Sequence, residues 1–280
     1  MTYEECIPYE LSGWRLELVQ QCFSQHPRNS GIDQFYNERP SDSELRRKIL
    51  ECSGGTVYSM DLVEEGMETV QRSINRSWDI YHEGKVPASN FMRSRKSVPY
   101  EIVNLIGIEG ERRGMIASRD LKAGETILEE FPIIVTILPL QHSIPLLFLL
   151  PQKALEAILL LHNESRVDGL SPRKTTDHCL RLTGLLQGTM DENVWRVWHT
   201  ANMLMRVLTL TGSMFNHSSR PNIIRGWDRK TEETTFITKC DVKKGEELVL
   251  DYCPRGCMSN EARELYLRRN GLWSVLDEDQ

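Results

Sequence analysis

The 280-residue chain lacks the signatures of the commonest enzyme classes. It holds no G-x-G-x-x-G turn, no G-x4-G-K-[ST] phosphate loop, no H-E-x-x-H and no G-x-S-x-G. Dinucleotide oxidoreductases, P-loop hydrolases, zinc proteases and serine hydrolases each build their site on one of these, so none is supported. The glycine-rich turn that a Rossmann-type methyltransferase places after its first strand is missing as well. An excess of positive charge is also absent: the formal charge is -6 and the pI about 5.7, which excludes nucleic-acid binding by bulk electrostatics. Residues 1–97 carry 12 basic and 15 acidic side chains and the rest 22 and 25, so each part is net -3 and neither is a charged arm.

Long apolar runs are scarce. The one membrane candidate, Phe131 to Leu150, is broken by Pro132, Pro139 and Pro145 and by Gln141-His142-Ser143. A spanning helix needs about 20 mostly apolar residues. Two short buried pieces around a polar turn are expected instead, and no membrane association. The opening MTYEECIPYE has no basic segment followed by an apolar stretch, so no signal peptide is expected. Seven cysteines are scattered along the chain, and only Cys253 and Cys257 lie close together. A zinc site needs four ligands and no second pair supplies them, so no metal is expected. Reduced thiols in the cytoplasm or nucleus are the matching expectation.

What is present has the proportions of a globular chain: 40% hydrophobic, 26% charged, mean hydropathy -0.41. Glu83 to Val98, with small residues, a proline and four basic side chains, reads as a linker. Before it, Val63, Met67, Val70, Ile74, Trp78 and Tyr81 recur at steps of three and four, the stripe of an amphipathic helix. A second helix is expected over Leu11 to Phe23. After the linker, Glu101–Ile106, Gly114–Ala117, Thr126–Glu129 and Ile133–Ile137 read as strands. Residues 145–209 read as helical, with a helix from Gln152 to His162 and another capped by Asp191 that carries Val194, Val197, Trp198, Ala201, Leu204 and Leu208. Strands return at Ile223–Arg225, Thr234–Thr238 and Glu247–Leu250, and a helix is expected from Ser259 to Arg269, ended by Gly271. Strands, a helical insert and strands again make an α+β fold.

Two segments are dense in unusual residues. Gly110 to Glu130 reads as a strand, a turn at Lys122-Ala123-Gly124-Glu125 and a second strand. Met214 to Tyr252 opens with Met-Phe-Asn-His-Ser-Ser-Arg-Pro-Asn and closes on Glu247-Leu248-Val249-Leu250-Asp251-Tyr252. A loop carrying Asn216, His217, Ser218 and Asn222 either satisfies buried backbone or contacts a polar ligand. His217 alone fits a hydrogen-bonded structural histidine better than a base or a metal ligand.

Together these segments resemble the SET-domain family of protein lysine methyltransferases, in a SET-and-MYND-like form. Gly114-Met115-Ile116-Ala117 and Arg119-Asp120-Leu121 through Gly124-Glu125, then Glu129-Glu130 and Pro132, match the opening strands and turn. Asn216-His217-Ser218 with Pro221-Asn222 matches N-H-S-x-x-P-N, and Glu247-Leu248 with Asp251-Tyr252 matches E-L-x-x-D-Y. The resemblance implies a SET β-fold of short curled sheets at 98–256, with a helical insert at about 141–205, knot-like threading of the C-terminal strand, a helical appendage at 1–97 and a helical segment at 257–280.

It further implies methyl transfer from S-adenosylmethionine to a lysine of a protein substrate, of which a histone is one candidate. Tyr252 would line the transfer point. Asn216, His217, the backbone of Arg113-Gly114-Met115 and, late in the insert, Asn202 would hold the cofactor. Trp273 either stacks on its adenine or anchors the last helix. A monomer is expected, with no metal and no direct contact to nucleic acid. The chain departs from the family in three places. Arg112 replaces the first glycine of G-x-G, no cysteine cluster follows the domain, and the cysteine pairs of a MYND zinc module are missing. Arg112 and the missing channel-closing segment leave a catalytically silent scaffold with the same fold as the alternative.

Overall fold

The computed structural model describes residues 39–53, 60–81, 98–107, 110–137, 140–161, 178–200, 203–253, 259, 261–262 and 265. The chain passes three times between two units: one draws its described residues from Met1–Val86 and Pro132–Leu210, the other from Pro87–Phe131 and Thr211–Gln280. The linker expected at 83–98 lies, apart from Val98, outside the described residues. The helices before it, however, belong with the inserted segment, so the first unit is assembled from appendage and insert together.

In that unit α1 (Asp42–Ser53) and α2 (Met60–Tyr81) precede β4 (Ile134–Thr136), α3 (Leu140–Leu147), α4 (Gln152–Ile158), α5 (His178–Asn193), β5 (Trp195–Thr200) and β6 (Met203–Leu208). The stripe on α2 is buried as its spacing requires: Met67, Val70, Ile74, Trp78 and Tyr81 are all in the core. Each such side chain contributes roughly 1.5–3 kcal/mol when fully buried. Between them the same helix buries Thr69, Ser73 and Ser77, one turn apart. β4 is the edge of a three-stranded sheet ordered β4-β6-β5, and α2 packs on it. The Val135 amide donates to Ser73 Oγ at 3.1 Å, and the Ser77 hydroxyl donates to the Ile133 carbonyl. The serines thus take the place of a further strand and close an edge that would otherwise be open. Trp78 Nε1 donates to Leu149 O at 2.8 Å, fixing the far end of the helix.

The segment Phe131 to Leu150 is β4 followed by α3, two short buried pieces, with Gln141-His142-Ser143 in the first turn of the helix rather than between the pieces. Among the described residues no helix is long and apolar enough to cross a membrane. The helix expected from Asp191 to Leu208 is not formed: α5 ends at Asn193, and β5 and β6 follow as an antiparallel pair. The residues Val194, Val197, Trp198, Leu204 and Leu208 fit a helical spacing. But Val197, Met205 and Val207 are buried and fit alternation equally well. A short apolar run rich in β-branched and aromatic residues leaves the choice open. β4 decides it, because Ile134 pairs with Leu208 and Thr136 with Arg206 across β6. The insert at 141–205 is therefore only partly helical.

The second unit holds β1 (Tyr100–Gly107), β2 (Gly110–Ala117), β3 (Thr126–Glu130), a 3-10 turn at Gly212–Met214, β7 (Asn216–His217), β8 (Ile223–Asp228), β9 (Glu233–Thr238) and β10 (Val249–Leu250). β1 and β2 form an antiparallel ribbon, β3-β9-β8 a three-stranded sheet, and β7 and β10 a short parallel pair. Phe215 and Phe236 stack at 4.9 Å between ring centroids in its core, where Met115, Leu121, Val242 and Leu248 are also buried. These are the short sheets of the expected α+β SET fold. The helix expected over Leu11 to Phe23 lies outside the described residues, as does most of the one from Ser259 to Arg269.

Two turns in this unit mirror each other. Asp120-Leu121-Lys122-Ala123-Gly124-Glu125 and Asp241-Val242-Lys243-Lys244-Gly245-Glu246 make the same contacts in exchange. Leu121 and Val242 exchange both backbone hydrogen bonds, at 2.8 and 3.0 Å. Asp241 accepts from the Ala123 amide and pairs with Lys122, while Asp120 accepts from the Lys244 amide and pairs with Lys243. Gly124 and Gly245 sit at φ 82° and 85°, a conformation that disfavours any side chain. The donated hydrogen bonds, from Lys122 above all for Asp241 and from the Lys244 amide for Asp120, hold both aspartates below the usual carboxylate range.

Candidate functional site

Three segments distant in sequence converge on Gly114. A Cβ added there would lie 2.4 Å from Leu105 Cδ1, 2.8 Å from Asn216 Nδ2 and 3.0 Å from Glu247 Oε1. The glycine is required because other side chains already occupy the space. Asn216 Nδ2 donates to the Arg113 carbonyl at 2.9 Å and to Glu247 Oε1 at 2.7 Å, so both amide protons are committed. β10 brings Glu247 into place. Leu248 N donates to Met115 O at 2.7 Å, Ile116 bridges Glu247, and Val249 is in register with Asn216.

His217 is buried, and its Nδ1 accepts from the Tyr252 amide at 2.9 Å. An imidazole accepting at Nδ1 carries its proton on Nε2 and is neutral. Asp251 Oδ1 stands 3.9 Å from that same Nδ1, too far to displace the amide. His217 therefore acts as a clip between β7 and the residues after β10, with Ser218 N donating to Leu250 O at 2.9 Å beside it. The clip seats Tyr252, whose ring lies 5.2 Å from the imidazole and whose hydroxyl donates to the Phe215 carbonyl. With its proton so committed, the phenol oxygen can meet a further partner only as an acceptor.

The strand carrying Asn216 and His217 is anchored from behind by Glu130, which is fully buried. Its carboxylate accepts from Thr211 N at 2.8 Å and Gly212 N at 2.7 Å, at the start of the 3-10 turn leading into β7. Burial, and then the Glu130 charge, push the Tyr100 hydroxyl above its ordinary range. Asn222 completes the frame by donating to Glu247 O at 2.8 Å and accepting from Val249 N at 2.9 Å.

Of the residues expected at the site, Arg113, Gly114, Asn216, His217 and Tyr252 are linked directly or through Phe215 and Glu247. Met115 contributes its backbone here, while its side chain is fully buried in the core. Asn202 and Trp273 lie outside the described residues. The loop's two readings divide by residue: Asn222 and His217 satisfy backbone, whereas Asn216 Oδ1 accepts from no described residue. Glu130 and Glu247 entered the sequence reading only as letters of a motif. An acid next to a glycine-containing turn gives no hint that its carboxylate is buried or bonded to a distant amide.

Among the described residues no group of three or more His, Cys, Asp or Glu side chains is placed to hold a metal ion. The acceptors at this point, the Asn216 amide oxygen and the Tyr252 phenol oxygen, suit a small polar ligand with a cationic group. Comparison with known proteins agrees in family. The SET-domain model matches residues 112–253. No curated protein matches the chain. A crystal structure of a Plasmodium falciparum protein, provisionally named a histone methyltransferase, is similar over 55% of this chain and 98% of that one. It has 12% identity and a TM-score of 0.28, a likeness too slight to bear on fold or activity. A match over half the chain, centred on the segments that build the site, is what places it: the protein belongs to the SET-domain family.

Proposed function

We propose that the protein methylates a lysine side chain of a protein substrate, using S-adenosylmethionine held by Asn216, His217 and the backbone around Gly114. The observation that carries this reading is Tyr252. Its hydroxyl proton is taken by the Phe215 carbonyl, in a position set by the His217 clip. Bound here, the cofactor supplies an electrophilic methyl group on a sulfonium. The protein's own part is to present the amine. A lysine ammonium has a reference pKa near 10.4, and removing its proton at pH near 7 costs about 4.6 kcal/mol. A partly buried site that strips water from the ammonium lowers that cost. Tyr252 does not act as the base, since its own proton points to Phe215. Its lone pairs accept an N–H of the incoming amine and aim the nitrogen lone pair, which is orientation rather than proton transfer.

Calorimetric titration with S-adenosylmethionine tests the first half, with Asn216→Ala as control. Saturable binding that the control loses is expected, and a folded wild-type protein that binds nothing would favour the silent scaffold, for which Arg112 is the sequence argument. Tyr252→Phe tests the second half. Cofactor affinity should stay within a few-fold while transfer of labelled methyl to lysine-bearing protein falls by at least about 100-fold, as for loss of an orienting group. Equal turnover would remove Tyr252 from the mechanism.

A further inference from the structure

We propose that Glu247 is a positioning residue that decides which end of the Asn216 amide is offered to the ligand. The end offered is the carbonyl oxygen, an acceptor for the α-ammonium of S-adenosylmethionine. This rests on the cofactor reading above. An asparagine side chain has one acceptor and two donor hydrogens, and rotation by half a turn exchanges them. Both neighbours of Nδ2, the Arg113 carbonyl at 2.9 Å and the Glu247 carboxylate at 2.7 Å, can only accept. Rotated, the amide would set its oxygen against two oxygens, one of them charged. A single neutral acceptor would bias the amide weakly; the carboxylate makes the choice firm, because bonds to a charged acceptor are roughly twice as strong.

Oδ1 is the end left over. Asn216 is half-buried, and no described residue donates to Oδ1. An amino-acid ligand has one cationic and one anionic end. An acceptor oxygen backed by the Glu247 charge takes the ammonium and repels the carboxylate, so the pair also fixes which way round the ligand lies. Gly114 is part of the device, since a side chain there would fall 2.8 Å from Nδ2 and 3.0 Å from Oε1 and part the two.

The test compares S-adenosylhomocysteine with its deaminated analogue, which has hydrogen in place of the α-amino group and is otherwise the same. Both are measured by competition calorimetry on the full chain. Wild type should favour the amine by about tenfold or more, the scale of one hydrogen bond to a charged group. Glu247→Ala should bring that ratio near one, and Glu247→Gln should restore most of it, because a carboxamide oxygen still takes Nδ2. Glu247→Met keeps the length without an acceptor and serves if the alanine variant fails to fold. An unchanged ratio in Glu247→Ala or Glu247→Met overturns the proposal even if both affinities fall, since that pattern is general damage. So does a wild type that binds both ligands equally. A wild type that binds neither overturns the cofactor reading itself, and the proposal with it.

Discussion

Gly114→Ala is the sharpest single test of how the site is built. The added methyl meets three atoms, and they differ in what they can yield. Leu105 Cδ1, at 2.4 Å, is the end of a flexible side chain and can turn away. Asn216 Nδ2, at 2.8 Å, is about 0.6 Å inside ordinary contact and is held from two sides. Moving it that far stretches its 2.7 and 2.9 Å bonds toward the limit of useful geometry. Overpacking costs about 1–3 kcal/mol, and weakening a bond to a carboxylate adds part of a further 1.5–3 kcal/mol. A total near 2–4 kcal/mol follows. With a urea dependence of about 2–3 kcal/mol per molar, the unfolding midpoint should drop by roughly 1 M. Affinity for S-adenosylhomocysteine should fall with it. Gly184→Ala on α5, where the methyl meets nothing within 4 Å, is the control and should leave the midpoint unchanged or raise it. A Gly114→Ala midpoint within about 0.2 M of wild type, with affinity intact, would refute the close approach, because a shift that small is under about 1 kcal/mol at this urea dependence.

Two further perturbations probe the frame around the site. Ser73→Ala leaves the buried Val135 amide at the β4 edge without its acceptor, which should cost about 1–3 kcal/mol; urea unfolding together with hydrogen exchange at residues 133–135 would read it, and unchanged exchange would show that the helix does not cover that edge. Asp120 and Asp241 have lowered folded pKa values, so the stability they contribute is present above the unfolded value of 3.8 and is lost as pH falls below it. The double variant Asp120→Asn, Asp241→Asn should flatten the acid limb of stability below about pH 4 while changing little at pH 7 beyond the loss of exposed pairs; an unaltered acid limb in a pH series of urea midpoints would separate the turns from acid stability.

How much of this could be read in the sequence depends on whether the partner was local. The α2 stripe was legible because a helix declares its buried face in its own spacing. The strands at 100–107, 126–130 and 233–238 were legible because short β-branched runs stood between turn residues. Residues 195–208 were not, since the same apolar positions satisfy both periods and only pairing with β4 chooses. At the site, Asn216, His217 and Tyr252 were found through order and spacing of motifs. What each does came from contacts across the fold: the imidazole clips an amide, the phenol proton goes to Phe215, and the asparagine amide is held by Glu247. Such roles depend on register, which no count along the chain contains.

The mirrored turns show where that register comes from. The Ala117 amide donates to Glu246 O and the Gly245 amide to Ala117 O, so the second turn is locked onto the end of β2. Glu247 is the next residue, and it can reach Asn216 only if this lock holds to within one position, because a slip of one would turn its side chain to the opposite face. At the other end, the Gly124 amide donates to Thr238 O and the Thr238 amide to Glu125 O, which locks the first turn onto the end of β9 in the same manner. Leu121 and Val242 then join the two turns. The charged D-x-K-x-G-E segments are exposed at most positions and look like surface decoration. They are in fact the rulers that set β2 against β10, and so bring Gly114, Asn216 and Glu247 to one point.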